Sequence, residues 1–214
     1  KSVQVKSILS HLATSDDISQ KEFAIEQIQL FDELSSKMMT ALNITPIRHI
    51  LNTSGISNFP NSQFSMVRLG IGLYGVSNDA EEQKQLNNVG TLKSVISQIR
   101  TIETGESVGY GRNYIAKNHR RIATIPIGYA DGISRRWGNG VGYIIINNQK
   151  APIVGSICMD MLMVDCTDIH CNESDTVIIF GENPTVSQIA TAIGTIPYEI
   201  LTSISQRVKR IFYR

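Results

Sequence analysis

The sequence predicts an α/β half followed by an antiparallel β half, and three observations carry that reading. In roughly the first third of the chain, short apolar runs alternate with a long helical pattern, the grammar of a parallel α/β barrel or a doubly wound sheet. Around Ser77-Asn78-Asp79-Ala80-Glu81-Glu82-Gln83 the composition turns polar, which places a linker between about 78 and 92. Beyond it, β-type runs crowd together with turn residues between them, the pattern of an antiparallel β module. The predicted domains are residues 1–85 and 86–214.

Taken in order, Val3–Leu9 reads as a strand ending at Ser10-His11. Thr14-Ser15-Asp16-Asp17 offers cap chemistry for a helix. In that helix Phe23, Ile28, Phe31, Leu34, Met38 and Leu42 recur three to five apart as one apolar stripe, with Met38 and Met39 as packing residues. Pro46–Leu51 reads as the next strand, ending at a turn, Asn52-Thr53-Ser54-Gly55, and a short loop with Pro60 follows. Met66–Gly75 is strand-like and rich in glycine. No G-x-G-x-x-G opens a helix, so a dinucleotide fold has no direct support. In the second half, strands are predicted at 94–102, 121–128, 141–147, 151–156, 161–166, 176–180 and 207–213. Asn147-Asn148, Gly138-Asn139-Gly140 and Gly181-Glu182-Asn183-Pro184 supply turns between them. Thr185 can cap a helix through Val186, Ile189, Ala190 and Ile193, closed by Gly194, and a second helical turn covers Tyr198–Ser203.

Composition narrows the function classes. With 214 residues the chain can bury a sizeable core as one large domain or two small ones. A net charge of +1 gives no global attraction for nucleic acid or an anionic membrane. The basic run Lys117-Asn118-His119-Arg120-Arg121 is short and lacks interleaved aromatics, so it reads as a solvated turn. Cys158, Cys166 and Cys171 are odd in number and have no C-x-x-C spacing, which argues against a disulfide framework or a zinc site and fits a reducing, cytoplasmic location. His170 beside Cys171 has no second ligand pair. No apolar run approaches the roughly 20 residues a membrane span needs.

Several segments could carry chemistry. Working residues of parallel α/β barrels sit at the carboxyl ends of strands. His11, Asn52-Thr53-Ser54-Gly55 and Arg68, with Gly70-Ile71-Gly72 after it, fall there. A hydroxyl beside small residues and open glycine amides suit a phosphate. Each also has a structural reading, as a hydrogen-bonded histidine or a turn. Arg68 in an apolar run is odder, because an unpaired guanidinium is costly, so it must face a carboxylate or a ligand atom. In the second half, Val108-Gly109-Tyr110-Gly111 holds a tyrosine between two glycines that let the backbone turn tightly and leave the ring clear. Gly128-Tyr129-Ala130-Asp131-Gly132 and Gly155-Ser156-Ile157-Cys158-Met159-Asp160 each put a polar residue next to a turn.

In this order these pieces resemble the alanine racemase family, pyridoxal 5′-phosphate (PLP) enzymes of fold type III. The resemblance runs from Ser10 to Arg214 through His11–Asp16, His49–Thr53, Met66–Gly75, Val108–Gly111, Gly128–Gly132, Ile157–Asp160 and Arg207–Arg210. It implies the later part of a PLP-binding, TIM-type (β/α)8 barrel followed by a C-terminal β domain. The implied activity interconverts L- and D-alanine by two-base proton exchange, supplying D-alanine for peptidoglycan. By the same resemblance Tyr110 matches the base that exchanges the α-proton on one face of the substrate. His11 matches the histidine that supports that tyrosine and packs on the cofactor ring. A phenol is a poor base at neutral pH without such help. Arg68 matches the partner of the pyridine nitrogen; a guanidinium cannot accept that nitrogen's proton, which weakens the electron sink and favours simple proton exchange. Thr53 stands for a phosphate-site serine, and Gly70 and Ile71 for backbone phosphate contacts. Met159 and Asp160 match the substrate edge, while Asp16, His49, Tyr129 and Arg135 match the access corridor. A head-to-tail homodimer with shared active sites is implied, Tyr110, Tyr129, Met159 and Asp160 serving the partner's cofactor.

The chain also departs from the family pattern. None of its lysines matches the PLP-binding lysine, which the resemblance places upstream of Lys1 with the barrel's first strands. The expectation is therefore a fragment that is inactive alone. Gln206 stands where relatives carry a tyrosine that contacts the phosphate and narrows the cavity, and Ser156 where a corridor arginine is common. Both make room, so serine tolerance is expected. The alternatives are a serine-tolerant racemase, a fold-type III decarboxylase, which would want an acid where Arg68 stands, an inactive homologue, or a non-catalytic binding module.

Overall fold

The computed structural model describes residues 3–77 and 79–213; Lys1, Ser2, Arg214 and Asn78, where the predicted linker begins, lie outside the described residues. The chain forms two compact units, Lys1–Val89 and Gly90–Arg214.

The first unit is built on a parallel pair, β1 (Ser7–Leu9) and β2 (Ile47–His49), in the register Ser7↔Ile47 to Leu9↔His49. Parallel neighbours need a crossover, and α1 (Lys21–Leu42) provides it. Asp17 accepts from the Ser19 amide and starts a single 3-10 turn, Ile18–Gln20, that leads into α1. Asn43, at φ 50°, ends the helix, its amide donating to Met39 O and Thr40 O. Ala24 and Phe31 face a core of Leu12, Ile50, Leu51 and Phe59.

Three expectations change here. The apolar stripe of α1 splits. Ala24, Ile28, Phe31 and Ser35 share the inner face, whereas Phe23, Leu34, Met38 and Leu42 are exposed, so Met38 does not act as a packing residue. At 100° per residue, positions 23, 30 and 34 lie about a quarter-turn from 24, 31 and 35. The Asn52-Thr53-Ser54-Gly55 segment is not a turn but the start of α2 (Thr53–Asn58), with Asn52 Oδ1 accepting from the Gly55 amide as N-cap. Met66–Gly75 forms no strand. Arg68 N donates to Leu51 O and Ser65 N to Arg48 O, two isolated bonds beside β2, before the chain coils into a 3-10 turn at Ile71–Tyr74 closed by Gly75 at φ 73°. A Cβ on Gly75 would lie 1.8 Å from Asn87 O, so the glycine is needed for the close approach as well as the turn. A short helix, α3 (Ala80–Gln83), capped by Asp79, occupies part of the predicted linker.

In the second unit, the run predicted at 94–102 is two strands, β3 (Leu92–Val95) and β4 (Gln98–Ile102). β5 (Ser107–Val108) and β6 (Tyr114–Ile115) form a separate hairpin. β7 (Arg120–Ile125), β8 (Tyr143–Ile146), β9 (Gln149–Val154), β10 (Leu162–Asp165) and β11 (Thr176–Phe180) complete a seven-stranded sheet of order β3-β11-β8-β9-β10-β7-β4. Its neighbours are antiparallel throughout. The two edge strands are joined only by Ile96-Ser97, whose amides donate to Asp175 O and Thr124 O. Two residues span at most about 7 Å, so the sheet has to curl until its edges approach. Its inner face carries Ile125, Ile144, Ile146, Ile153, Leu162, Val164, Val177 and Ile179, all fully buried, each contributing about 1.5–3 kcal/mol of hydrophobic stabilisation. Asn147 and Asn148, at φ 47° and 62°, make the two-residue turn between β8 and β9.

α4 (Val186–Ile193) and α5 (Pro197–Ser203) pack on that core through Val186, Ile189, Ala190, Ile193 and Ile200. α4 begins with the reciprocal Thr185–Gln188 cap and ends at Gly194 at φ 70°, as the sequence suggests. The strand predicted at 207–213 does not form. Arg210 donates to the carbonyls of Ile204, Ser205 and Val208, which holds the chain in a turn and occupies Val208 O, an acceptor a ladder would need. Among the described residues no helix is long and apolar enough to cross a membrane.

Candidate functional site

In the first unit the candidate residues converge on Arg68. Its Nη1 donates to His49 Nδ1 at 2.6 Å and to His49 O at 3.2 Å. Its Nη2 donates to Ser10 O at 2.8 Å, Ile50 O at 3.1 Å and His11 Nδ1 at 3.1 Å. The partners are the carboxyl ends of β1 and β2, so the guanidinium ties both strand ends together. It meets no carboxylate among the described residues, which answers the question the sequence raised about what it faces.

A guanidinium has donors only. Each imidazole must therefore accept at Nδ1, leaving its proton on Nε2. For His49, only 4% exposed, burial and then the Arg68 charge hold the imidazole below its usual 6.5. His49 therefore differs from the corridor position expected of it: it is a buried support for Arg68. His11 is exposed, and its Nε2–H is the donor it can offer outward.

Next to this cluster, Thr53 is buried, and its Oγ1 accepts from the Gly70 amide at 3.0 Å and the Gly72 amide at 3.4 Å. Because those bonds use lone pairs, the hydroxyl proton stays available to an anion. A Cβ on Gly72 would reach within 2.8 Å of Thr53 Cγ2, so glycine is what lets the amide approach. Ile71 is buried at the start of the same turn. An imidazole donor, a guanidinium edge, a hydroxyl and glycine amides on adjoining strand ends suit a flat ring with an acceptor nitrogen and an anionic oxygen group.

In the second unit Tyr110 sits on the turn between β5 and β6, flanked by Gly109 at φ 75° and Gly111 at φ 72°, and is 77% exposed. The turn is pinned from behind: Asn113 Nδ2 donates to Ser156 Oγ at 2.9 Å, and a Cβ on Gly109 would lie 3.2 Å from Met163 Cε. Ser156, expected as a vacancy in a corridor, is 5% exposed and acts as that anchor. Gln206 is exposed in the turn after α5, and Arg135 is exposed at the start of a 3-10 turn, Arg135–Trp137. Asp16 is exposed and is engaged in a polar or electrostatic contact.

Tyr129, Met159 and Asp160 are brought together by residues the sequence did not single out for a role. Tyr129 N donates to Cys158 O and Ala130 N to Met159 O, both at 3.0 Å. A Cβ on Gly128 would fall 2.3 Å from Cys158 O and 2.4 Å from Met159 O, so only glycine lets the two loops touch. Asp131, 8% exposed, accepts from the Gly128 amide at 2.8 Å and from Arg207 Nε at 2.7 Å, while Arg207 Nη2 donates to Asp160 at 2.6 Å. Arg207 thus bridges two acidic loops from the turn after α5. The signal was present in the Asp131 and Arg207 of two matched segments, but nothing in one dimension says that they pair.

Burial alone would raise the Asp131 carboxyl, but the Arg207 bond, the Gly128 amide and the Arg207 charge together hold it below its usual 3.8. A depressed carboxyl contributes stability above the unfolded value that is lost as pH falls through the native one. Asp131→Asn is expected to cost about 1.5–3 kcal/mol near neutral pH and to flatten the stability profile below about pH 4. Urea melts of both proteins between acid and neutral pH test this, and parallel profiles would contradict it.

Comparison with known proteins agrees in both units. A model of the alanine racemase N-terminal domain matches residues 1–78, and one of the C-terminal domain matches residues 89–212. The alanine racemase of Helicobacter pylori strain J99 is 35% identical over 99% of this chain and 59% of its own length. The structure of alanine racemase from Clostridium difficile 630 in complex with cycloserine superposes with a TM-score of 0.87 at 36% identity, covering 96% of this chain and 55% of that one. That of alanine racemase from Bartonella henselae with covalently bound pyridoxal phosphate gives 0.84 at 36% identity, over 98% and 57%. The chain spans 55–59% of the length of such relatives.

Proposed function

The chain belongs to the alanine racemase family, and from that premise we propose that it carries the cofactor-anchoring and proton-exchanging residues of a PLP-dependent interconversion of L- and D-alanine. The observation that carries the reading is Arg68, held by two imidazole nitrogens and three carbonyl oxygens with no carboxylate among the described residues. Its Nη hydrogens are engaged, which leaves the Nε edge for a ring acceptor, which in bound PLP would be the pyridine nitrogen. Thr53, Gly70 and Ile71 would hold the phosphate. Bound PLP would supply the electron sink that loosens the α-proton of an amino acid.

This chain's own residues do the rest. Arg68 fixes His11 with its proton on Nε2. His11 then offers that N–H to the oxygen of Tyr110, steadying the phenolate form that takes the α-proton. In this proposal Tyr110 comes from the second subunit of a head-to-tail homodimer, and Tyr129, Met159 and Asp160 line the substrate with it. The test is to incubate the gene's full product with PLP and L-alanine in D2O. Loss of the α-proton signal with formation of D-alanine is expected; PLP binding without exchange would refute the racemase reading.

Gln206 replaces a tyrosine that would narrow the cavity, so room for a hydroxymethyl side chain is expected. The ratio of kcat/KM for serine to that for alanine should fall about tenfold in Gln206→Tyr, within the range one lost pocket contact can supply. Unchanged selectivity would show that position 206 does not limit the pocket.

A further inference from the structure

The basic run near residue 120 has no part in the racemase reading, yet the fold brings Lys117 and Arg120 of it to one recess. A recess of about 480 Å³ in the second unit is lined by Arg112, Asn113, Tyr114, Ile115, Lys117 and Arg120. Three of these six are cations and none is an acid. Lys117 is exposed and has no ion-pair partner among the described residues, and Arg112 spends only its Nε, on Ser107 Oγ at 3.2 Å. Arg120 reaches the one nearby carboxylate, Asp165, at a long 3.5 Å. Its Nε is buried and has no acceptor among the described residues, so that donor is unspent and a shift of the side chain would have to bring it to the recess. Arg112 is also held at φ 51°, a left-handed conformation that costs a non-glycine residue energy and recurs at ligand clamps.

Arg120 shares its charge with Asp165, but Arg112 and Lys117 have no carboxylate partner among the described residues, and like charges around one concavity repel unless an anion sits between them. The geometry points to a binding site for a small phosphate dianion, either inorganic phosphate or a phosphomonoester. Two guanidinium forks and one ammonium match its charge and its several acceptor oxygens. A small turn of Arg120 would bring its Nε–Nη edge to bear, and the Tyr114 hydroxyl, which is hydrogen-bonded to Arg120 and keeps its proton through burial and then the Asp165 charge, is a further donor. The near-neutral chain charge and the confinement of the cations to one recess favour a small ligand over a nucleic-acid track.

Calorimetric or NMR titration of the protein with inorganic phosphate and with glycerol phosphate, at ionic strength held constant with chloride, tests the site. Saturable one-site binding is expected, and the two arms tell which form it prefers. Lys117→Ala, an exposed change that leaves the fold intact, and Arg112→Ala should each weaken binding about tenfold. Lys150→Ala, outside the recess, should leave it unchanged. An unsaturable response, equal affinity in Lys117→Ala, or binding of an oligonucleotide or anionic vesicle that phosphate does not displace would overturn the assignment. Binding is read directly, so failure of this site leaves the racemase reading untouched.

Discussion

Tyr110→Phe is expected to lower alanine racemisation by the gene's full product about 10²–10⁴-fold, the usual contribution of a positioned general base. The melting temperature should not move. Tyr110 is 77% exposed, its hydroxyl makes no hydrogen bond among the described residues, and the turn is fixed by Gly109, Gly111 and Asn113. Surface changes of this kind stay within about 0.5 kcal/mol. Removing one oxygen therefore separates chemistry from folding. The loss should fall on kcat in the direction that takes the proton from the face Tyr110 serves, while exchange with solvent on the other face survives. An activity within threefold of wild type, or an equal loss in stability, would remove Tyr110 from the role.

How far this was legible in the sequence depends on which interactions are local. α4 was readable because its cap, stripe and stop lie within ten residues: Thr185 and Gln188 bond each other, and Gly194 takes the left-handed end. The Asn147-Asn148 turn was readable for the same reason. Met66–Gly75 was not. Its apolar alternation suits a strand, but Gly70, Gly72 and Gly75 let the chain leave the ladder, and the backbone instead presents amides to Thr53. The final β-type run failed because Arg207 and Arg210 find partners far along the chain or in their own turn. The site followed the same rule. His11, Thr53, Arg68 and Tyr110 stood out as residue types in odd company, whereas the buried pairing of His49 with Arg68 and the Asp131–Arg207–Asp160 bridge exist only across loops.

Arg68→Leu should be the most damaging single change to the first unit, costing about 3–5 kcal/mol. Leucine fills part of the volume but donates nothing. His49 Nδ1 and Ile50 O then lose their donor in a buried setting, at about 1–3 kcal/mol each before relaxation, while His49 O keeps only the Ser10 amide. Arg68→Lys should fall between, because one ammonium cannot span from His49 on one strand end to Ser10 and His11 on the other. The cluster also predicts a pH dependence with a definite sign. His49 is held neutral by burial and then by Arg68, below its usual 6.5. Unfolding lets it bind a proton, so stability is fully present above about pH 6.5 and declines as pH falls toward the native value. His49→Gln keeps an acceptor for Arg68 but cannot take that proton. Its stability should be close to wild type at pH 6 and should decline less between pH 6 and 5. Denaturant midpoints for wild type, Arg68→Leu, Arg68→Lys and His49→Gln across that range separate the two effects. If His49→Gln kept the wild-type slope, the imidazole would have to be protonated in the native state, and Arg68 could not be donating to its Nδ1.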